Sequence, residues 1–148
     1  YTSLTGSLET KPNGLRIRLT MDLITLIASG TTNPGGLVNF ALGAPADAGL
    51  TYQVGTSLGT GPIPIGSRQV DLSADDLLVV SVMGYLPAVF MNYSGVLDAQ
   101  GAGQAKFAIP DLPALAGIRL YTAFLTLDAS APQGVRSISP TYPFTITK

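Results

Sequence analysis

The sequence predicts an all-β fold, an antiparallel β-sandwich of jelly-roll or immunoglobulin-like type with about 8–10 short strands. Three observations predict it. Turn signals built on Gly, Pro, Asn and Asp recur roughly every 8–12 residues. The segments between them are short and either alternate in hydropathy or are rich in Val, Ile, Thr, Tyr and Phe. No stretch sustains a long helical period, and 148 residues suffice for one ordinary domain.

The clearest central strand is Ile118–Leu127, a run without Gly or Pro between Gly117 and the turn chemistry of Asp128 onwards. Ile118, Leu120, Thr122, Phe124 and Thr126 alternate with Arg119, Tyr121, Ala123, Leu125 and Leu127, so both faces are largely apolar and both should be covered. From the start of the chain, residues 1–10 alternate thinly, with Leu4, Gly6 and Leu8 between polar positions. They read as a loosely paired N-terminal strand or, more sharply, as an arm that adds to the open edge of a neighbouring subunit, with Leu4, Gly6 and Leu8 at the interface. Lys11–Gly14 breaks the chain before the single domain at 11–148 continues with Leu15–Ile27, whose Leu15, Ile17, Leu19, Met21 and Leu23 oppose Arg16, Arg18, Thr20 and Asp22.

Strands are then predicted at Leu37–Leu42 and Leu50–Val54, a loop over Gly55–Gly66, and a short strand at Arg68–Leu72. Ser73 suits the cap of one helical turn, with Asp75 and Asp76 at its N-terminus. Leu77–Met83 reads equally as strand or buried helix. Gly84–Asn92 reads as a loop with exposed aromatics, and Tyr93–Asp98 with the AQGAG turn and Gln104–Ile109 as a hairpin. Arg136–Thr147 closes the chain, with Pro140 and Pro143 confining its first part to a sheet edge or a bulge.

Composition excludes several functions. There are no cysteines and no histidines, which removes thiolate and imidazole chemistry, sulfur metal sites and every triad built on histidine. No nucleophile can be paired with a base, so no enzymatic activity and no cofactor are expected. Eight scattered Lys and Arg in a chain of net charge −1 argue against nucleic acid. Charged residues make up 11%, against about 25% in a typical domain, so little repulsion keeps copies apart. The uncharged run Leu77–Leu97 is interrupted by Ser81, Gly84, Pro87, Asn92 and Gly95, which predicts strand, loop and strand rather than a membrane span. The chain opens at Tyr1 with no Met and no charged-then-apolar leader, which predicts that any export signal has been removed.

Two side-chain groups are candidate sites. Asp71, Asp75 and Asp76 place three carboxylates within six residues, a candidate for Ca²⁺, although their spacing matches no EF-hand and a solvated turn is the plainer reading. Tyr85, Phe90 and Tyr93 could form a sugar-stacking platform, although a chain without Trp more often uses such aromatics in a core or an interface. Asn92-Tyr93-Ser94 is a glycosylation sequon, a weak signal alone.

The segments GTTNPGGLVNFAL, DAGLTYQVGTSLGTGPIPIG, GVLDAQGAGQAKFAIPDLPALAGIRLYTAFLTLD and GVRSISPTYPFTI, in this order, resemble a domain of secreted planctomycete, myxobacterial and marine proteobacterial proteins. The resemblance spans about Ser29–Lys148 and is carried chiefly by the turn Gly95–Ala102 and by Pro113–Leu127. It implies an extracellular location and a β-rich fold, and it implies no catalytic or ligand residues. The expected function is a secreted structural subunit that assembles with itself into a filament or surface layer, with an extracellular polysaccharide- or cell-surface-binding module as the alternative.

Overall fold

The computed structural model describes the backbone of residues 2–11 and 14–148, and the side chains from Ile24 onwards. Two ten-residue strands, β1 (Thr2–Lys11) and β2 (Gly14–Leu23), pair antiparallel as a two-stranded sheet of their own. The predicted strand Leu15–Ile27 is thus two strands: β2 ends at Leu23, and β3 (Thr25–Gly30) begins one residue later in a different sheet. Ile24 between them is buried, which ties the junction to the core.

The sandwich follows. β4 (Leu37–Gly43) pairs with β3, and β5 (Thr51–Ser57) opens the second sheet. The predicted loop Gly55–Gly66 is shorter than expected. β5 runs on to Ser57, and β6 (Ile63–Ile65) and β7 (Arg68–Val70) form a small hairpin around the positive-φ Gly66. Helix α1 (Asp76–Met83) comes next, then the short β8 (Phe90–Met91) and β9 (Ser94–Val96), and the longer β10 (Ala102–Ala108) and β11 (Arg119–Leu127). β12 (Val135–Ile138) and β13 (Tyr142–Thr145) finish the chain.

One sheet has the order β3-β4-β10-β8, and the other runs β9-β5-β11 with β12 and β13 successively along the far edge of β11. The two antiparallel sheets enclose one core to which both contribute, as in a β-sandwich. Pro140 interrupts the final edge and Pro143 lies within it, where a missing N–H costs no ladder bond. The turn Asp98–Ala102 forms as the sequence suggests, with Asp98 Oδ1 accepting the N–H groups of Gln100 and Ala102 at 2.9 Å. Its flanks are not a hairpin, however: β9 pairs with β5 and β10 with β4, so this turn carries the chain from one sheet to the other. A local turn motif cannot specify which partner each flanking strand finds.

β11 is covered on both faces, as its two apolar alternations predict. Leu120 and Phe124 enter the core between the sheets with Val38, Phe40, Val54 and Phe107. On the opposite face Ala123 packs with Val70 and Leu72 beneath the β6–β7 hairpin. An aromatic run crosses the main core. Phe90 stacks on Phe107 at 5.2 Å, Phe107 meets Phe144 edge-on at 6.2 Å, and Phe144 meets Phe40 at 6.1 Å. Because Phe107 bridges rings of both sheets, Phe107→Ala is expected to cost about 3–5 kcal/mol and to lower the melting temperature by roughly 10 °C. A calorimetric loss below about 1 kcal/mol would show that this run does not hold the sheets together.

Leu77–Met83, where strand and helix were both open, lies in a helix, so the uncharged run to Leu97 is helix, loop and short strands. The cap decides it. Asp75, not Ser73, is the N-cap and accepts the Leu78 N–H at 2.9 Å, Asp76 sits in the first turn, and Gly84 ends the helix at φ 74°. α1 rests on β5 where Gly55 leaves room: a Cβ there would lie 2.7 Å from Leu78 Cδ1. No helix among the described residues is long and apolar enough to cross a membrane.

Candidate functional site

The sequence-predicted sites are dispersed by the fold. Asp75 uses both carboxylate oxygens on backbone N–H groups, Oδ1 on Leu78 and Oδ2 on Leu58 at 2.8 Å. Asp71 accepts instead from Gln69 Nε2 at 2.8 Å. Among the described residues no three His, Cys, Asp or Glu converge on a point a metal ion could occupy. The Ca²⁺ candidate Asp71, Asp75, Asp76 therefore reads as a helix start beside a hairpin end.

The aromatic platform also dissolves. Tyr85 is 64% exposed, while Phe90 and Tyr93 are buried and meet each other edge-on at 5.1 Å inside the core. Burial pushes the Tyr93 phenol above its ordinary range despite the hydrogen bond it shares with Thr56. Tyr93 and Thr56 are 2.8 Å apart, and Thr56 Oγ1 is also 2.8 Å from Thr122 Oγ1, so three hydroxyls satisfy one another between the sheets. Two of the three aromatics are thus core, and only Tyr85 could face a ligand.

The candidate interface residues Leu4, Gly6 and Leu8 belong to β1, whose side chains lie outside the described residues. Their backbone register is defined. Leu4 stands opposite Met21, Gly6 opposite Leu19 and Leu8 opposite Ile17, whereas Ser3, Thr5, Ser7 and Glu9 stand opposite Asp22, Thr20, Arg18 and Arg16. Alternating cross-strand pairs share a face, so this register gathers the apolar positions of both strands on one face of the hairpin and the polar positions on the other.

The edges of the sandwich are protected unevenly. Where β9 stops, β5 would expose the backbone of Thr56, and α1 covers it. The Thr56 N–H donates to Ser81 Oγ at 3.1 Å, and that hydroxyl donates to Leu78 O at 2.8 Å. Ser81 is 1% exposed, so Ser81→Ala would leave a buried amide unpaired. The expected cost is about 1–3 kcal/mol, measurable as a lower urea midpoint at unchanged slope. An unchanged midpoint would mean that the edge is satisfied without Ser81. On the far side, the Arg68 guanidinium bonds Arg136 O at 2.8 Å and also Val135 O, closing part of the outer edge of β12.

An open polar cleft of about 440 Å³ lies beside the junction at Ile24, between the turn that carries Asp47 and the segment 128–137. Asp47 is 2% exposed; its Oδ1 accepts Arg136 Nε at 2.6 Å and its Oδ2 accepts Thr126 Oγ1 at 2.8 Å. Burial pushes its carboxyl up, but hydrogen bonds from Ser137, Thr126 and Arg136 together with the Arg136 charge outweigh burial and hold it below its ordinary value of 3.8. Such a carboxylate is an anchor between the Pro45–Asp47 turn, β11 and β12 rather than a proton-transfer group. The sequence signal for it, a lone acid among small apolar residues in GAPADAG, reads simply as a turn.

Outside the core, α1 is apolar on every side and yet leaves Val79, Val82 and Met83 exposed, next to the exposed Tyr85 and Leu86. That surface is suited to contact with protein. Comparison with protein-family models gives no match for this chain, and comparison with curated proteins gives none.

Proposed function

We propose that this chain is a non-enzymatic structural subunit that assembles with copies of itself into an extracellular filament or surface layer through its N-terminal hairpin. One observation carries the reading. β1 and β2 form a two-stranded sheet of their own, each paired among the described strands only with the other, with a face of paired Leu, Ile and Met positions. A lone two-stranded hairpin is marginally stable in water and gains stability from a third strand or a packed face. A neighbouring copy supplies both. Low charge, the apolar surface of α1 and the lack of histidine and cysteine support association rather than catalysis. The extracellular setting rests on the resemblance of Ser29–Lys148 to secreted β-rich domains.

Light scattering on a size-exclusion column, with negative-stain microscopy of the same fraction, tests the proposal. Large oligomers or filaments are expected. A 15.3 kDa monomer at all concentrations would overturn it.

A further inference from the structure

Resting on that assembly reading, we infer that the outer edge of β3 is the acceptor, and that it takes the free edge of β1 from a second copy of this chain. Most edges of the sandwich carry a device that discourages pairing. β8 has two residues and β9 three, too short to template a partner strand. Arg68 occupies carbonyls of β12, and Pro143 lies in β13. These are the usual devices against edge-to-edge pairing. β3 has none of them. It has six residues, Thr25–Gly30, with no charge and no proline, and it pairs on one side only, with β4. Its Ile27 is 62% exposed.

The register shows which groups are available. Beyond the end of β3, Thr31 N–H donates to Leu37 O at 3.0 Å, which marks that pair as hydrogen-bonded. Antiparallel alternation then turns the amides of Ile27 and Ser29 towards β4, and the N–H and C=O groups of Leu26 and Ala28 outwards. These outward groups can hydrogen-bond an added strand.

The same chain carries the complementary edge. β1 is paired with β2 on one side only, and adding it to β3 turns a two-stranded ribbon and a four-stranded sheet into one continuous sheet. β2 cannot serve its own β3 in this way, because only Ile24 separates them. β1 is ten residues long, enough to span the six residues of β3. Charge agrees in sign: residues 1–23 hold three cations (Lys11, Arg16, Arg18) against two anions, and residues 24–148 hold seven carboxylates against five cations. Donor and acceptor are different surfaces, so the contact is heterologous and propagates as an open filament unless the rotation closes a ring.

The test uses three variants of the whole chain. Ala28→Pro removes an outward N–H while leaving the β4 ladder intact, and Thr5→Pro places a residue that has no N–H in the middle of β1. Ile27→Lys, at an exposed position, is a milder block of the same acceptor edge. Circular dichroism and thermal melting establish that each is folded. Each variant is expected to run as a monomer alone, and an equal mixture of Ala28→Pro and Thr5→Pro to form a one-to-one dimer that grows no further. If Ala28→Pro and Ile27→Lys assemble as the parent does, β3 is not the acceptor, although assembly itself stands. A mixture that stays monomeric also overturns the pairing of β1 with β3. A parent chain that never assembles overturns both readings.

Discussion

A chain lacking residues 1–10 is expected to be a folded monomer under conditions in which the full chain forms oligomers or filaments. Both sandwich sheets and both hydrophobic clusters are built from residues 24 onwards, so removing β1 takes nothing from the described core. What it removes is the partner of β2 and one free edge. The melting transition should therefore keep its cooperativity and fall by no more than a few degrees, equivalent to about 1 kcal/mol. Scattering should drop to the monomer mass. Growth of filaments by the truncated chain would exclude β1 as the assembling element. Loss of cooperative melting would show instead that the hairpin is part of the fold. The effect on assembly should be insensitive to salt, because backbone bonds and apolar pairs outnumber the few charges involved.

Replacing Asp47 with Ala should be the most destabilising single change of a polar residue. It strands the hydroxyl of Thr126, which is 0% exposed, and removes the carboxylate partner of Arg136. Breaking a buried pair on one side costs about 3–5 kcal/mol, but the Arg136 side chain is 49% exposed and recovers much of its solvation. We therefore expect about 2–3 kcal/mol, dominated by the Thr126 and Ser137 hydrogen bonds. The pH dependence follows from the direction of the shift. The folded carboxyl titrates below its unfolded value of 3.8, so its stabilisation is complete above that value and is lost as pH falls through the lower folded value. The parent should lose stability on acidification below about pH 4 more steeply than Asp47→Asn, which carries no titrating group there. Identical acid limbs in the two urea series would show that Asp47 does not contribute to the acid transition.

The elements most legible in the sequence were those whose burial is set by alternation alone. Ile118–Leu127 is apolar on both faces, and β11 is covered on both faces with strands on both sides. The prolines at 140 and 143 placed the last segment at an edge because proline cannot donate to a ladder. The candidate sites were less legible. Tyr85, Phe90 and Tyr93 are near neighbours in sequence, but Phe90 in β8 and Tyr93 between β8 and β9 are drawn into the core, while Tyr85 just after α1 is left exposed. The three aspartates could not be told from a cation site until Asp75 was seen capping α1.

Composition and alternation by themselves determined the all-β class, the central strand, the edge position of the C-terminal segment and the absence of thiol and imidazole chemistry. They could do so because residue period and missing side-chain types are local properties of the chain. Tertiary structure decided what depends on partners distant in sequence. It separated β2 from β3 at Ile24, sent the flanks of the Asp98 turn to different sheets and drew Asp47 to Arg136 across the chain. It also decided which edges are covered. Ser81 closes β5 and Arg68 closes part of β12, whereas β3 pairs with β4 alone among the described strands. An edge is defined by the strand that is missing beside it, and no local pattern in the sequence records that absence.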